Sequence, residues 1–411
     1  TSPSMIKISD LEEVISLQRK RIDEDRSYPR MLLRKLSILR DFALIITGIR
    51  RCGKSTLLFQ LIKEQDDKWL FVNFDTPKLF NFEFSDFRLL DMMIAADKEI
   101  KLLFFDEIQV VKGWEVYVHG KLDEGYKVVI TGSNASLMSR ELGTKLTGRH
   151  LSQELFPFSF KEFCGYKSLP ACKESLLEFE ETGGFPQFLA TGNQEILQEL
   201  VNDLLYRDII VRHNLRDDKS LKRILMLMVS NMGNPISANK LKQIVGLKSS
   251  TTVLEYLSFL EQVYMIYLLP KFTYSYKAQM VNPRKVYFID NGLYAAINPS
   301  IMKNLGQKFE NLVFWELRRL TSQLYYYNEN GVECDFVVCR ENKPHLLIQA
   351  CRELHHDNME REQDGLLHAM NFFGMKKGWI VTLDQTDKIV AGDKTIEVMP
   401  FHRVDFEQLW E

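Results

Sequence analysis

Short apolar segments alternate with longer amphipathic segments between residues 42 and 155. Continuous apolar runs are typical of strands buried on both faces of a sheet, and they occur at 42–47, 69–74, 101–105 and 127–131. The segments between these runs carry apolar residues at the three- and four-residue spacing of helices. This alternation predicts a parallel sheet with helices on both faces, and the fold class is therefore α/β.

The pattern on either side of this region is mainly helical. A helix is predicted over residues 9–22, where Ser9 and Glu12 have the spacing of a capping box. A second helical segment is predicted after Pro29. Beyond the α/β region the apolar spacing predicts further helices at 158–163, 171–180, 195–211 and 221–231.

The rest of the chain contains two more patterns. Two helices followed by two strands, which is the order of a winged helix, are predicted at 237–245, 249–264, 265–271 and 285–290. From residue 302 onward a mixture of helix and strand predicts a small α/β domain. Its predicted elements lie at 306–320, 324–327, 335–339, 346–350, 358–370 and 377–382.

Composition excludes several classes of protein. The 53 Lys and Arg residues and the 55 Asp and Glu residues give a formal net charge of −2, so the chain is not a polycation that coats nucleic acid. With 45% hydrophobic and 26% charged residues, it has the composition of a globular protein. No apolar run reaches the roughly 18 residues of a membrane helix, and no secretory leader is recognisable, so we expect no membrane partner.

The cysteines indicate a compartment. The chain has six cysteines and no C-x-x-C pair, which is sparse for a disulfide-bonded secreted protein. We therefore expect free thiols and a reducing, cytoplasmic location. No group of Cys and His residues has the spacing of a zinc site.

Residues 48–56 carry the most specific signal in the chain. The pattern G-x-x-x-x-G-K-[ST] is satisfied between a predicted strand and a predicted helix by Gly48-Ile49-Arg50-Arg51-Cys52-Gly53-Lys54-Ser55. Backbone N–H groups of such a loop surround phosphate, helped by the positive end of the following helix dipole. We expect the loop through Thr56 to bind ATP, with Lys54 at the β- and γ-phosphates and Ser55 as a ligand of Mg²⁺.

A second motif lies downstream, where the apolar run 101–105 is followed by Asp106 and Glu107. Asp106 is expected beside Mg²⁺, and Glu107 is expected to polarise the attacking water as a general base. Ser133 and Asn134 follow the next predicted strand at the same edge of the sheet. They are interpreted either as sensors of the γ-phosphate or as a simple capping turn.

Several short motifs together resemble one protein family. These motifs lie at 46–58, 106–109 with Trp114, 130–134, 146–149, 155–163, 183–186, 306–311 and 333–336. In them the chain is similar, over nearly all of its length beyond the first predicted helix, to prokaryotic AAA+ superfamily ATPases with a C-terminal restriction-endonuclease-like domain of unknown function.

This resemblance implies a domain organisation and one further site residue. The implied segments are an N-terminal helical segment (1–35), an AAA+ P-loop ATPase domain (36–156), a helical lid with a winged-helix domain (157–300) and a degenerate PD-(D/E)XK nuclease-like α/β domain (301–411). The resemblance also makes Arg149 a candidate arginine finger that stabilises charge on the transferred phosphoryl group. An ordinary surface or interdomain ion pair is the alternative for Arg149.

The nuclease fold that the last domain resembles needs two or three carboxylates around a divalent metal and a lysine that orients water. Glu310 and Asp335 match the carboxylates of the first helix and the first strand. Gln349 and Cys351 occupy the positions of the glutamate and the lysine in the Glu-x-Lys motif, and neither supplies the required charge. We therefore expect a nuclease relic, and residual metal-dependent cutting through Glu310, Asp335 and Glu333 is the alternative.

The predicted winged helix is locally basic. Against two glutamates it carries seven basic residues, Lys240, Lys242, Lys248, Lys271, Lys277, Arg284 and Lys285. Phe272, Tyr274 and Tyr276 interleave with the lysines of its ribbon, so one interpretation is contact with double-stranded DNA. The predicted helix at 249–264 has no Lys or Arg to read bases, which favours the other interpretation, packing against protein.

These expectations together describe an ATPase that hydrolyses Mg·ATP to drive a conformational switch coupled to DNA or to an unknown protein partner. Two alternatives remain open. A DNA-binding regulator that is gated by ATP without hydrolysing it predicts salt-sensitive DNA binding and negligible turnover. An ATP-powered DNA nuclease predicts metal-dependent cutting that Asp335→Ala abolishes.

Overall fold

The structure is a computed structural model that describes residues 6–138, 145–297 and 304–411. The chain divides into two units between Phe156 and Pro157. The first unit contains a parallel sheet, and the second contains a helical region followed by two further sheets. The domain boundary expected at residue 300 lies outside the described residues.

The first unit is built on a five-stranded parallel sheet in the order β2-β3-β4-β1-β5. Its strands are β1 (Ala43–Thr47), β2 (Lys68–Asn73), β3 (Ile100–Asp106), β4 (Lys127–Gly132) and β5 (His150–Glu154). Strands β1 to β4 were predicted from their apolar runs. No strand is predicted at β5, because it has a single apolar residue, Leu151.

Helices of the first unit connect these strands or precede them. They are α1 (Ile8–Glu24), α2 (Lys54–Lys63), α3 (Phe87–Ala96) and α4 (Trp114–Asp123). Helix α1 begins one residue before the predicted cap Ser9, because the Asp10 carboxylate accepts a hydrogen bond from the Lys7 backbone N–H (3.2 Å). The segment after Pro29 forms only a short 3₁₀ helix, Met31–Lys35.

The carboxyl ends of the parallel strands lie at one edge of the sheet. Asp106 pairs with Asn73 across β3 and β2, and Thr47 pairs with Gly132 across β1 and β4. All five residues of β1 are buried, and Asp106 at the end of β3 is buried as well. The polar residues that follow β1, β3 and β4 therefore converge at this edge.

The second unit begins with helices α5 (Phe160–Lys167), α6 (Lys173–Thr182), α7 (Pro186–Thr191), α8 (Glu195–Asn202) and α9 (Asp218–Ser230). A π-helix, Asp203–Val211, continues α8, so the predicted helix at 195–211 changes its winding halfway along. The Gly183-Gly184 pair has a structural function here. The Asp290 carboxylate accepts a hydrogen bond from the Gly184 N–H (2.6 Å), and a Cβ on Gly183 would lie 2.1 Å from the same carboxylate.

A small antiparallel sheet comes next, in the order β6-β8-β7. Its strands are β6 (Pro235–Ile236), β7 (Ile266–Leu269) and β8 (Arg284–Phe288). Helices α10 (Ala238–Val245) and α11 (Ser250–Gln262) lie between β6 and β7 in the chain. The predicted ribbon is interrupted, because Tyr276 begins a short helix, α12 (Tyr276–Val281), before β8.

The chain ends in a six-stranded mixed sheet that follows α13 (Asn291–Ile297) and α14 (Leu305–Leu320). The strand order is β13-β14-β12-β11-β10-β9. Its strands are β9 (Leu324–Glu329), β10 (Val332–Arg340), β11 (Lys343–Ala350), β12 (Lys377–Thr382), β13 (Asp387–Ala391) and β14 (Lys394–Pro400). Helix α15 (His356–Phe373) connects β11 to β12, and α16 (Phe406–Trp410) follows the sheet.

The predicted fold class is confirmed as an α/β chain with a parallel-sheet core, a helical middle region and a C-terminal mixed sheet. Among the helices of the described ranges, none combines the length and the apolar character needed to cross a membrane.

Candidate nucleotide site

The loop between β1 and α2 is held in a tight turn against the end of β5. Arg51 and Gly53 have left-handed backbone conformations, with φ of +64° and +101°. A Cβ on Gly48 would lie 2.1 Å from the carbonyl oxygen of Leu155, so only glycine allows this approach. Helix α2 then begins at Lys54, which directs its N-terminus toward the loop.

The Lys54 ammonium is buried among oxygen atoms. Its Nζ donates hydrogen bonds to the carbonyl oxygens of Gly48 (3.0 Å) and Ile49 (3.1 Å) and lies 3.3 Å from Glu107 Oε1. Burial alone would lower the pKa of Lys54, but the negative charge of Glu107 outweighs it and raises the pKa. Lys54 is therefore a fixed positive charge at the loop.

Asp106 is fully buried and accepts hydrogen bonds on both of its carboxylate oxygens. Its Oδ2 accepts from Ser55 Oγ (2.5 Å) and Asn73 Nδ2 (2.8 Å), and its Oδ1 accepts from Thr131 Oγ1 (2.5 Å). Burial and the neighbouring charge of Glu107 raise the pKa of Asp106 to about 6.

The pair formed by Ser55 and Asp106 fits a magnesium site. Mg²⁺ takes hard oxygen ligands and is usually bound by one or two protein groups together with substrate phosphates. A hydroxyl and a carboxylate that lie 2.5 Å apart beside the phosphate loop have this chemistry. Asn73 and Thr131 hold the carboxylate in place from the two neighbouring strands.

Glu107 lies next to this pair in a left-handed conformation, with φ of +54°. Its Oε2 accepts hydrogen bonds from Gln109 Nε2 (2.5 Å) and Ser133 Oγ (3.0 Å), while Oε1 faces Lys54. Burial alone would raise its pKa, but the charge of Lys54 and the hydrogen bond from Gln109 outweigh it and lower the pKa. The carboxylate is therefore ionised at neutral pH, as a proton acceptor must be.

The other loop residues have mainly structural contacts. Ile49 is buried in the core, and Arg50 Nη1 lies 3.3 Å from Asp75 Oδ2. Cys52 is buried, its Sγ donates to the carbonyl oxygen of Leu155 (3.4 Å), and burial raises the pKa of its thiol. Thr56 lies half-buried in the first turn of α2.

Arg30 is a site residue that the sequence does not reveal. It is 3% exposed, and its guanidinium donates to the carbonyl oxygens of Cys52 (2.7 Å) and Phe156 (2.6 Å). The phosphate loop is thereby tied to the last residue of the first unit. A single arginine after Pro29 carries no motif, whereas Asn73 and Thr131 could have been found as polar residues at the ends of parallel strands.

Arg149 lies away from the phosphate loop. Its carbonyl oxygen accepts a hydrogen bond from Ala43 N–H (3.1 Å), which places Arg149 at the start of β1, and the loop follows the end of β1. The guanidinium contacts Asp123 Oδ1 (2.7 Å) and His119 Nε2 (3.0 Å) on α4. The structure therefore places Arg149 in an ion pair within its own unit. It does not bring Arg149 to the cluster at the sheet edge, which is defined here as Lys54, Ser55, Asp106 and Glu107.

The two residues after β4 differ in what they contact. Ser133 donates to Glu107 and so contacts this cluster. Asn134 Oδ1 accepts from the Ser136 backbone N–H (2.8 Å), which is the local hydrogen bond of a capping turn. Of the pair expected at this edge, Ser133 therefore contacts an acidic residue, and the hydrogen bond of Asn134 is local.

The residues of the expected nuclease relic lie in the second unit. Glu310 is on α14 and Asp335 is in β10, and both contact Lys285 Nζ, at 3.5 and 3.2 Å. Gln349 Oε1 accepts from the Asp335 backbone N–H (3.1 Å). Cys351 is buried after β11, its Sγ donates to a backbone carbonyl (3.2 Å), and burial raises the pKa of its thiol to about 12.

The expected DNA-contacting residues are divided by the structure. Tyr274 and Tyr276 are exposed, at 80% and 77%. Phe272, in contrast, is half-buried and packs edge-on against Tyr325 and Phe373, with ring centroids 5.6 and 4.8 Å away. The seven basic residues counted in this segment also differ in exposure.

Two of those basic residues are engaged within the protein. Lys285 is 1% exposed and surrounded by carboxylates, and Lys271 Nζ lies 3.8 Å from Glu329 Oε1. Lys240, Lys248 and Lys277 are exposed.

Comparison with protein families identifies the first unit. Residues 40–164 match the model of an AAA domain, and residues 173–306 match a domain of unknown function (DUF8612). The AAA match covers the phosphate loop, the Asp106–Glu107 pair and Ser133. The first unit therefore has the fold of an AAA-type P-loop ATPase.

Solved structures similar to this chain include two nucleotide-binding proteins. A replication initiator DnaA bound to AMPPCP and single-stranded DNA is 16% identical with a TM-score of 0.29, over 63% of this chain and 93% of that chain. A signal transduction ATPase with numerous domains, PH0952 from Pyrococcus horikoshii, is 14% identical with a TM-score of 0.25, over 71% of this chain and 44% of that chain.

Full-length relatives come from an archaeon and a bacterium. An uncharacterized protein of Haemophilus influenzae is 29% identical over 351 residues, which cover 80% of this chain and 86% of the relative. The uncharacterized protein MJ1544 of Methanocaldococcus jannaschii is 35% identical over 387 residues, which cover 87% of this chain and 86% of the relative. The chain therefore belongs to the same protein family as MJ1544, and its own residues 40–164 match the AAA domain model.

Proposed function

We propose that this protein is an ATPase that hydrolyses Mg·ATP to switch the conformation of its second unit. The observation that carries the proposal is the cluster at the sheet edge, where Ser55 donates a hydrogen bond to Asp106 (2.5 Å) and the adjacent residues Lys54 and Glu107 form an ion pair (3.3 Å). Each of these residue types has a separate task in phosphoryl transfer.

The chemistry follows from the charges of these groups. Lys54 supplies a positive charge for the β- and γ-phosphates, and the loop amides supply further donors. Ser55 and Asp106 would hold Mg²⁺, which neutralises charge that develops on the phosphate oxygens. Glu107, ionised and oriented by Gln109 and Ser133, takes the proton of the attacking water at its carboxylate.

The partner that the switch acts on is proposed from the second unit. The order α9, β6, α10, α11, β7, β8 supports a winged helix, with Tyr274, Tyr276 and Lys277 exposed between β7 and β8. We propose that this exposed aromatic and basic segment contacts double-stranded DNA, and that a protein partner is the alternative. The C-terminal domain is proposed to be a nuclease-like relic without cutting activity.

The cellular location is proposed from the thiols. All six cysteines are free. Together with the small number of cysteines, six in 411 residues, this supports a reducing, cytoplasmic compartment.

ATP hydrolysis by the purified chain, with and without double-stranded DNA, tests the proposal. Lys54→Ala and Glu107→Gln are each expected to lower the rate of ATP turnover by a factor of about 10² to 10⁴. Glu99→Gln is the matched control, because Glu99 is exposed and precedes β3 at the opposite edge of the sheet. Unchanged turnover in Lys54→Ala and Glu107→Gln would refute the proposed chemistry.

The same assay separates the second candidate function, a regulator that binds ATP without hydrolysing it. That candidate predicts ATP-dependent, salt-sensitive DNA binding and no turnover in the unmodified protein. If turnover rises with DNA and the rise is lost in Tyr276→Ala but not in Tyr28→Ala, the segment between β7 and β8 is the DNA contact. Turnover that is indifferent to DNA would instead direct the search to a protein partner.

A further inference from the structure

Lys285 lies at the centre of a carboxylate cluster, defined here as Glu310, Glu333 and Asp335. The side chain is 1% exposed, and its Nζ lies 2.5 Å from Glu333 Oε1, 3.2 Å from Asp335 Oδ1 and 3.5 Å from Glu310 Oε1. Tyr287, two residues further along β8, donates its hydroxyl to Glu310 Oε1 (2.6 Å). The Lys285 ammonium therefore forms ion pairs with three acidic side chains.

The members of this cluster come from separate elements. Lys285 is in β8 of the three-stranded sheet, Glu310 is on α14, and Glu333 and Asp335 are in β10 of the six-stranded sheet. The pairing of β10 with β9 is irregular between Cys334 and Val337, so Asp335 lies at a bulge, where a strand can redirect a side chain.

Lys285 is the cation that opposes protonation of these buried carboxylates. Burial and the charge of Glu310 raise the pKa of Asp335 to about 8, against the opposing effect of Lys285. Burial also raises the pKa of Glu310. Buried carboxylates that are ionised are stable only when a positive charge compensates them.

The surrounding residues do not prepare a metal site. Gln349 stands where the resembled nucleases have an acidic ligand, and its Nε2 donates to Glu362 Oε2 (2.6 Å), away from Lys285. Across 6–138, 145–297 and 304–411, no group of three or more His, Cys, Asp or Glu side chains is arranged to hold a metal ion. The carboxylates converge on the ammonium instead.

We propose that Lys285 is a built-in cation that occupies the place of the divalent metal in the carboxylate cluster and fastens the three-stranded sheet to the six-stranded sheet. Backbone contacts support the fastening. Phe272 N–H donates to the Tyr326 carbonyl (2.7 Å), and Tyr326 N–H donates to the Pro270 carbonyl (3.1 Å). The segment that carries the exposed tyrosines is therefore attached to the C-terminal sheet by the lysine and these backbone hydrogen bonds, without a metal ion.

Mn²⁺ binding to the full chain tests this proposal independently of ATP hydrolysis. Thermal unfolding and Mn²⁺ titration are measured without nucleotide, in an Asp106→Asn background that removes the carboxylate at the phosphate loop. In that background the protein with Lys285 present is expected to show no Mn²⁺-dependent shift of the unfolding midpoint. Lys285→Met is expected to unfold at lower temperature and to regain about 5 °C or more in 1 mM Mn²⁺, because the ion replaces the lost charge.

Two controls make the expected gain specific. Lys308 is also 1% exposed, but its Nζ contacts a single carboxylate, that of Glu181 (3.0 Å), so Lys308→Met should lose stability without gaining a response to Mn²⁺. Adding Asp335→Asn to Lys285→Met should remove the response. It should also relieve the uncompensated charge, so this double variant is expected to fold even where Lys285→Met does not.

Two results would overturn the proposal. One is Mn²⁺ binding to the protein with Lys285 present that Asp335→Asn abolishes, because the metal would then enter beside the lysine and the cluster would be a working metal site. The other is failure of both Lys285→Met and the double variant to fold, with or without Mn²⁺. That result would show that the lysine is required for packing and not for charge compensation.

Discussion

The variant Glu107→Gln tests both the ion pair with Lys54 and the proposed general base in one protein. The amide keeps the shape of the side chain and its contact with Ser133, but it removes the negative charge 3.3 Å from Lys54 Nζ. Lys54 must leave this carboxylate to reach a phosphate, so the ion pair competes with ATP binding. Removing the charge should therefore strengthen ATP binding while turnover is lost.

The magnitude of the gain in affinity follows from the contacts of Lys54. Two unit charges 3.3 Å apart attract by about 5 kcal/mol at an effective dielectric constant of 20, before desolvation is subtracted. Lys54 keeps its two carbonyl partners in the variant. The net gain in the free energy of ATP binding is therefore that of one hydrogen bond to a charged group, for which we take the low value of about 1.5 kcal/mol. This corresponds to about tenfold tighter binding of ATP.

Calorimetric titration with ATP and Mg²⁺ measures this difference, and a coupled phosphate-release assay measures turnover in the same samples. Glu99→Gln controls for the substitution, and Ser133→Ala controls for loss of a hydrogen bond to Glu107 without loss of charge. A Glu107→Gln variant that loses turnover but binds ATP with unchanged or weaker affinity would refute the competition by the ion pair.

Three further predictions concern pH, stability and Arg149. The pKa of Asp106 is raised to about 6 from a value near 3.8, so the folded protein without nucleotide should lose stability as pH rises from about 4 to about 6. Mg²⁺-dependent ATP binding should instead weaken as pH falls below about 6, because the carboxylate becomes protonated. Titration with ATP and Mg²⁺ across pH 5–8 measures the change in binding. Arg30→Met should destabilise the first unit by about 3 kcal/mol, because two carbonyl oxygens lose a buried charged donor. Arg26 also donates to two carbonyl oxygens, but its guanidinium is exposed, so Arg26→Met should cost less than about 1 kcal/mol. Denaturant unfolding measures both losses. An Arg30→Met loss no larger than that of Arg26→Met would contradict the burial argument. Arg149→Ala should change turnover by less than about twofold in dilute protein, since its partner is Asp123, and a larger loss that grows with protein concentration would instead indicate a finger acting on a second copy.

The sequence predicts features that depend on neighbouring residues better than features that depend on distant ones. Strands β1 to β4 are predicted because continuous apolar runs identify strands buried on both faces, and the phosphate loop is predicted because its motif is local. Strand β5 has no such run and is identified only by its pairing with β1. The contacts of Arg30 and Lys285 join residues far apart in the chain, so no periodicity or motif reveals them.

Basic and aromatic residues from β6 to β8 illustrate the same limit. A count of basic residues treats Lys240 and Lys285 alike, yet one is exposed and the other is buried among carboxylates. The aromatic residues also separate, because Phe272 packs into the protein while Tyr276 remains exposed. Charge and aromatic content in a sequence therefore indicate a class of surface but not which members reach it.

The attachment of the phosphate loop to the end of the first unit has a thermodynamic consequence. Leu155 N–H donates to the Thr47 carbonyl (2.7 Å), Cys52 Sγ donates to the Leu155 carbonyl, and Arg30 bridges Cys52 and Phe156, the last residue before the second unit. A displacement of Phe156 therefore strains the hydrogen bonds that connect it to the loop between β1 and α2. By reciprocity, if a conformational change at Phe156 alters nucleotide affinity by some factor, bound nucleotide must alter the equilibrium of that conformational change by the same factor.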